Sequence, residues 1–346
     1  MNTPNRYAAA VAVAAAVLMG SFPALAAQPP QQPIPVSIGG GAVDSAAFRW
    51  SSALAEILSR PPGLPACEPT APCGVPGVVA GAQTYDQPTA LLKALSDGRL
   101  ATGIVPAMYL FEAHCATPKE ATAATPITIL KTLYRQPVQL VVRADQKIDS
   151  PKDLIGKTLA VGEKGSESEA IAYALLTAYG VPRAKVNFLR LSVPLEVAAL
   201  STGSASAAVF IGHAYDTPIG KVIGTGKFTL MSLADTPQRQ KLLQSLPVYS
   251  VDAFPEGFYP GLQAVSTIAQ PVVWAAGPTL EPSVAERLVA SISEPRNQTR
   301  LAGLVAPVTA VADGEAFMRL PAPIDEGGKL YADSAKLPIS QLDCPK

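Results

Sequence analysis

The sequence predicts an α/β fold built on parallel sheets. Three observations carry this. After residue 34, short apolar runs alternate with amphipathic runs along nearly the whole chain. Several apolar runs end in glycine, as at Gly39-Gly40-Gly41, Gly162 and Gly212, where a strand would hand over to a turn. No internal repeat of short fixed period interrupts the pattern.

In order, Pro35–Ile38 reads as a strand, followed by three glycines and a helix from Asp44 to Leu58 that Asp44 or Ser45 can cap. Pro61–Pro76 is a proline-rich loop. Val78–Gln83 is a strand, Pro88–Ser96 a helix, Leu100–Val105 a strand and Ala107–His114 a helix. Val138–Val142 is a continuous apolar run suited to a buried strand. A turn of helix follows at Asp149–Leu154, then a strand at Lys157–Val161 and a helix at Ser166–Tyr179 closed by Gly180. Val186–Leu189 is a strand, Pro194–Ser201 a helix and Ala207–Ile211 a strand. Thr267–Ala276 is a long strand and Ser283–Ile292 a helix.

The first residues read as an export signal, expected to be cleaved near Ala26. Arg6 supplies the positive charge, Ala8–Leu18 the apolar stretch, and Ala24-Leu25-Ala26 the small-x-small cleavage pattern. No cysteine near that point offers a lipid anchor; the competing reading is an uncleaved N-terminal anchor. The length favours two domains. Lys plus Arg and Asp plus Glu balance at 27 each with no basic stripe, which argues against a nucleic-acid partner. Four cysteines suit an oxidising compartment. Cys67 and Cys73 can close a local loop, leaving Cys115 to pair with Cys344; three connectivities exist and sequence alone does not choose. A metal site is not expected, since there is no C-x-x-C and there are only two histidines, His114 and His213.

The chemistry is expected in loops at the carboxyl ends of strands, where helix starts offer N–H groups and partial positive charge to anions. Two such starts stand out: Gly39-Gly40-Gly41-Ala42 and Gly165-Ser166-Glu167-Ser168-Glu169. Each has a structural alternative. The glycines can serve a tight turn only. Ser166 and Glu169 have capping-box spacing, which accounts for Glu169 and leaves Ser166 and Ser168 open to capping, binding or both. Glu167 is not needed for capping. Facing a cleft, it would repel an anion and attract an ammonium; otherwise it is a solvated charge. Enzyme motifs fail. Position 44 is Asp, so no dinucleotide fingerprint is formed; Gly226-Lys227 is followed by Phe228, not Ser or Thr; no G-x-S-x-G occurs. Neither catalytic residues nor a cofactor are expected.

Several segments together resemble the TAXI family, the solute receptors of TRAP transporters. They are Val36–Gly41; Leu140–Asp145 followed by Ile148–Lys157; Val161–Glu169; Val209–Ala214; and, most specifically, Phe254–Gly261 followed by Val265–Thr267. The chain departs from the family pattern at Phe48-Arg49-Trp50, where early tyrosines are usual, and at Glu167 and His213, where glycines are usual. Pro323–Tyr331 lacks the family's histidine. These departures cluster at the expected cleft loops and leave the ligand open.

The resemblance implies a type II periplasmic-binding-protein fold. Lobe I would comprise residues 27–143 and 267–346, lobe II residues 144–266, joined by two hinge strands at Val138–Arg143 and Thr267–Ala276. Ligand-binding residues would be Gly40, Gly41 and Ala42 by their backbone, Arg49 as a counter-charge, Gln139 on a crossing strand, Ser166, Glu167 and Ser168, Gly212 and His213, and Tyr259 as an aromatic wall. Arg49 can instead be a surface residue, Gln139 a sheet residue, and Tyr259 packing. The implied function is a monomeric periplasmic receptor that captures a small carboxylate-bearing metabolite, an amino acid or an oxo- or dicarboxylic acid, and delivers it to a TRAP membrane permease. The alternative is a binding-protein fold that docks a periplasmic enzyme or sensor.

Overall fold

Two long strands organise the chain. In this computed structural model, which describes residues 32–43, 45–116, 127–212, 219–233 and 236–345, they pair antiparallel with each other and carry different partners at their two ends.

The chain opens with β1 (Ile34–Gly40) and α1 (Ala46–Leu58). A small pair, β2 (Ser59–Arg60) and β3 (Val75–Pro76), precedes β4 (Val78–Thr84), α2 (Pro88–Ser96), β5 (Thr102–Pro106) and α3 (Ala107–Cys115). The first long strand is β6 (Thr128–Arg143). Then come β7 (Thr158–Ala160), α4 (Glu167–Ala178), β8 (Asn187–Leu189), α5 (Val193–Thr202), β9 (Ala207–Ile211), α6 (Ile219–Ile223), β10 (Phe228–Leu230), α7 (Thr236–Ser245) and β11 (Ser250–Phe254). The second long strand is β12 (Val265–Ala276), and α8 (Pro282–Ser293), α9 (Pro295–Val305) and α10 (Glu326–Ser334) complete the chain.

The sheet runs β4-β1-β5-β12-β6-β9-β7-β8. On one side β4, β1 and β5 are mutually parallel, and β5 joins the C-terminal part of β12. On the other, β8, β7 and β9 are parallel, and β9 joins the C-terminal part of β6 through Ile211↔Val138 to Ala207↔Val142. This is the type II periplasmic-binding arrangement: two sets of parallel strands linked by two crossing strands.

The residues explain the pairing. In β6, Val138, Leu140 and Val142 enter one apolar cluster with Leu159, Ile171, Leu175 and Val209, while Val141 points to the opposite face with Ala208 and Phe210. A strand segment covered on both faces is mostly apolar, and Val138–Val142 is apolar except for Gln139. The other end of the molecule has its own core, where Val36, Ile38, Leu54, Leu58 and Trp274 meet Leu288 of α8.

Cys67–Cys73 closes the proline-rich loop, with Cα atoms 5.7 Å apart. Cys115–Cys344 ties the end of α3 to the C-terminal tail across 229 residues, with Cα atoms 5.4 Å apart. Both spans are ordinary for a disulfide.

Some expected boundaries shift. β6 begins at Thr128, ten positions before Val138, because its first half carries polar residues that break the apolar run. Lys131 there is buried and pairs with Asp313 Oδ1 at 2.6 Å, with Ser293 Oγ at 3.1 Å. Burial lowers the Lys131 pKa while Asp313 opposes that shift. The Pro61–Pro76 loop has short paired strands at its two ends. The helices α6, α7, α9 and α10 and the strands β10 and β11 are additional to the expected elements. The segment expected to be an export signal, Asp44 and His213 lie outside the described residues.

Candidate functional site

The carboxyl ends of both sets of parallel strands meet the same short stretch of the crossing strands. β5 ends at Pro106, opposite Val272 of β12, which lies opposite Tyr134 of β6. β1 and β4 end alongside, where Tyr85 N–H donates to Gly40 O at 3.1 Å. From the other side, β9 ends at Ile211 opposite Val138, and Gly212 N–H donates to Pro137 O at 2.9 Å. The strands next to the crossing pair, β5 and β9, therefore both end beside residues 134–139 and 269–272. In open α/β sheets this is where ligands are held.

The turn after β1 is packed tightly on its own helix. A side chain at Gly40 would lie 2.7 Å from Phe48 Cα and 2.9 Å from Ala47 O. Gly41 meets Ser45 Oγ, and that hydroxyl caps α1 by accepting from Phe48 N–H at 3.1 Å. Ala42 O accepts from Ser45 N–H at 2.8 Å. The backbone of Gly40–Ala42 thus forms the turn that joins β1 to α1. Arg49, half-buried one turn later, donates to Ala306 O at 3.1 Å.

The turn after β7 uses glycine for backbone conformation instead. Gly162 and Gly165 have φ of 75° and 78°, a region that favours glycine. Ser166 caps α4 by accepting from Glu169 N–H at 3.3 Å, and its hydroxyl donates to Val161 O at 3.2 Å. The capping box closes one residue early. Glu169 Oε2 accepts from Gly165 N–H at 2.8 Å, because Ser166 N–H already donates to Glu163 O. Glu169 Oε1 accepts from Tyr173 and pairs with Arg190 at 2.5 Å. Tyr173, Gly165 and Arg190 together hold its carboxyl down at about 2. Glu169 is a buried structural residue.

Behind this turn stands Glu196 of α5, fully buried. Its Oε1 accepts from Gly162 N–H at 2.6 Å, and its Oε2 has no hydrogen-bond partner among the described residues. Burial pushes its carboxyl up to about 7.

Glu167, the first residue of α4, is half-buried and reaches away from its own helix. Its Oε1 accepts from Tyr249 Oη at 2.5 Å and from Gln270 Nε2. Burial raises its carboxyl to about 7 against the pull of those two donors, and Glu112 of α3 adds to the rise. Burial and the charge on Glu167 also push Tyr109 up to about 12. A carboxyl with a raised pKa therefore stands near two phenols at the crossing, with Ser168 half-buried next to it in sequence.

Gln139 and Tyr259 come together but inside the protein. Tyr259 Oη donates to Gln139 Oε1 at 2.8 Å, and Gln139 Nε2 donates to Gly212 O at 2.7 Å. Both side chains are buried, so they shape the wall from behind. The sequence reading overlooked Gln270, Tyr249, Tyr109, Glu112 and Glu196. Two carried a signal: Gln270 is a lone amide in the apolar run of β12, and Glu196 is a lone charge in the apolar helix α5. The tyrosines had none.

A cavity of about 520 Å³ lies elsewhere, between Ser293, Leu301, Pro307 and Asp313. Its acidic residue is already paired with Lys131, so the convergent strand ends make the better site.

Residues 75–332 match the NMT1-like family, and the chain belongs to that family. Several solved structures are similar to the chain. One is the periplasmic aliphatic sulphonate binding protein SsuA from Escherichia coli, at 14% identity over 88% of this chain and 91% of that one, TM-score 0.46. Others are XAC2383 from Xanthomonas citri bound to ATP, at 13% identity over 79% and 96%, TM-score 0.44, and an ancestral arginine-binding protein bound to arginine, at 14% identity over 78% and 96%, TM-score 0.42. Among the described residues no helix is long and apolar enough to cross a membrane.

Proposed function

We propose that this chain is an exported solute receptor that captures a small carboxylate-bearing metabolite between two lobes and delivers it to a membrane transporter. The convergence of both sets of strand ends on residues 134–139 and 269–272 carries the reading. β6 and β12 serve as the hinge, and closure is driven by the solute's higher affinity for the closed form. The start of α1, with no acidic side chain in its first turn, suits the carboxylate. Glu167 favours an ammonium on the same molecule, so an amino acid fits better than a dicarboxylate. The resemblance to the TAXI receptors points to a TRAP-type permease as recipient, and the leader to the periplasm.

A thermal-shift screen of amino acids, oxo-acids and dicarboxylates, followed by calorimetry, tests this. A solute at 100 times its Kd stabilises the chain by roughly 2.7 kcal/mol, readily detected. If none binds with one-to-one stoichiometry, the reading fails. Recovery of a tightly bound periplasmic protein with an empty cleft would then favour the docking alternative, which Glu167 also accommodates.

A further inference from the structure

Gln270 is fully buried in the middle of β12, flanked by Ala269 and Pro271. A buried carboxamide must use both ends or incur the cost of an unmet polar group. One end is fixed by α3. That helix follows Pro106, whose side chain cannot cap it, and Gln270 Oε1 instead accepts from Met108 N–H at 2.9 Å. A backbone N–H only donates, so the oxygen must face it. The NH2 group is thereby turned the other way, to Glu167 Oε1, with Gln136 Oε1 at 3.5 Å. Tyr249 donates to the same oxygen of Glu167. Oε2 of Glu167 takes no hydrogen bond from the described residues.

We propose that Gln270 is a positioning residue of the solute site: held by the start of α3, it fixes the Glu167 carboxylate at the crossing and leaves Oε2 to receive the solute's ammonium. This rests on the receptor reading for the solute, but the linkage itself does not need one. It joins an element before the crossing (α3), the crossing strand (β12) and an element between the crossings (α4). Its orientation is set by a donor that cannot reverse. The titratable groups facing Glu167 are Tyr109 and Glu112 from α3 and Tyr249 ahead of β11.

The test is ligand-free first. The side-chain carboxyls are followed by 13C NMR against pH, and the Glu167 signal is assigned by its loss in Glu167→Gln. Gln270→Met removes both bonds. Gln270→Glu keeps an acceptor for Met108 and so preserves the α3 cap, but replaces the donor with a carboxylate. Loss of a donor to the charged form moves the Glu167 midpoint upward, by about one pH unit for Gln270→Met and further for Gln270→Glu. A midpoint within about 0.3 unit of the parent in a folded Gln270→Glu overturns the proposal. The twenty L-amino acids are then titrated into each variant. A tenfold or greater loss for whichever binds the parent supports the positioning role. Unchanged affinity in both variants contradicts it. Failure of the parent to bind any of them counts against the receptor reading while the carboxyl midpoints still decide the role of Gln270.

Discussion

The turns after β1 and β7 follow the same plan and arrive at opposite chemistry. Each runs from a parallel strand through glycines to a serine that caps a helix with its hydroxyl. In the first, the glycines let the backbone lie on its own helix, and the segment 39–43 carries no charge. In the second, the glycines supply positive φ, and the helix start carries Glu167 and Glu169 with Glu196 buried behind. A helix start by itself therefore does not state the charge of a ligand. The side chains brought to it do, and on the proposed reading they suit one end of the site to a carboxylate and the other to a cation.

The largest expected effect breaks the comparison at its glycines. At Gly40 a methyl group would collide with backbone atoms of α1, so Gly40→Ala is expected to cost about 1–3 kcal/mol by overpacking. At Gly165 the space is open and only the φ of 78° resists, so Gly165→Ala is expected to cost about 1 kcal/mol. Urea unfolding of both variants checks the order. Equal costs would show that the first turn can relax.

The second effect is on pH dependence. Glu167 and Glu196 both titrate near 7 in the folded chain against an ordinary 4.5, because burial disfavours their charge. The folded chain then binds more protons than the unfolded chain between these values. The resulting stability is full below about 4.5 and is lost as pH rises through 7, at no more than about 1.4 kcal/mol per pH unit for each group. Glu169, held near 2, acts in the opposite sense: its stability is present above 4.5 and is lost as pH falls towards 2. Unfolding measured across pH should show Glu196→Gln flattening the upper slope and Glu169→Gln the lower. An unchanged upper slope in Glu196→Gln would mean that this carboxyl is hydrated.

The smallest effect compares the caps. Ser45→Ala and Ser166→Ala should each cost about 1 kcal/mol of stability. Ser166→Ala should reduce solute affinity by more than this loss accounts for. An affinity loss no larger than the stability loss would make Ser166 a cap alone.

The α/β order, the long return strand and the Ser166 cap were legible because each has a local signature: an apolar run, a period, or a hydroxyl ahead of a helix; at α1 the sequence left Asp44 and Ser45 as alternatives, and Ser45 is the cap. The first half of β6 was not. Lys131 and Thr132 are buried there because Asp313, far along the chain, pairs with the lysine, and no local pattern records that. The α9 segment hides its apolar face, Leu301 and Val305, among arginines and amides, and α10 carries two glycines that pack against Pro282 and Leu130. In the site, Glu167 stood out because capping did not require it. Tyr249 and Gln270 reach it across separations of 82 and 103 residues, and only the crossing of β6 and β12 brings them together.

The most direct test is calorimetry of the parent chain and Glu167→Gln against an amino acid found to bind and the oxo-acid of the same carbon skeleton. The two solutes share a carboxylate and differ at the ammonium. The parent should bind the amino acid at least tenfold more tightly, and Glu167→Gln should lose or reverse that preference while keeping the oxo-acid. The same preference in both proteins, or a parent that favours the oxo-acid, would contradict the account.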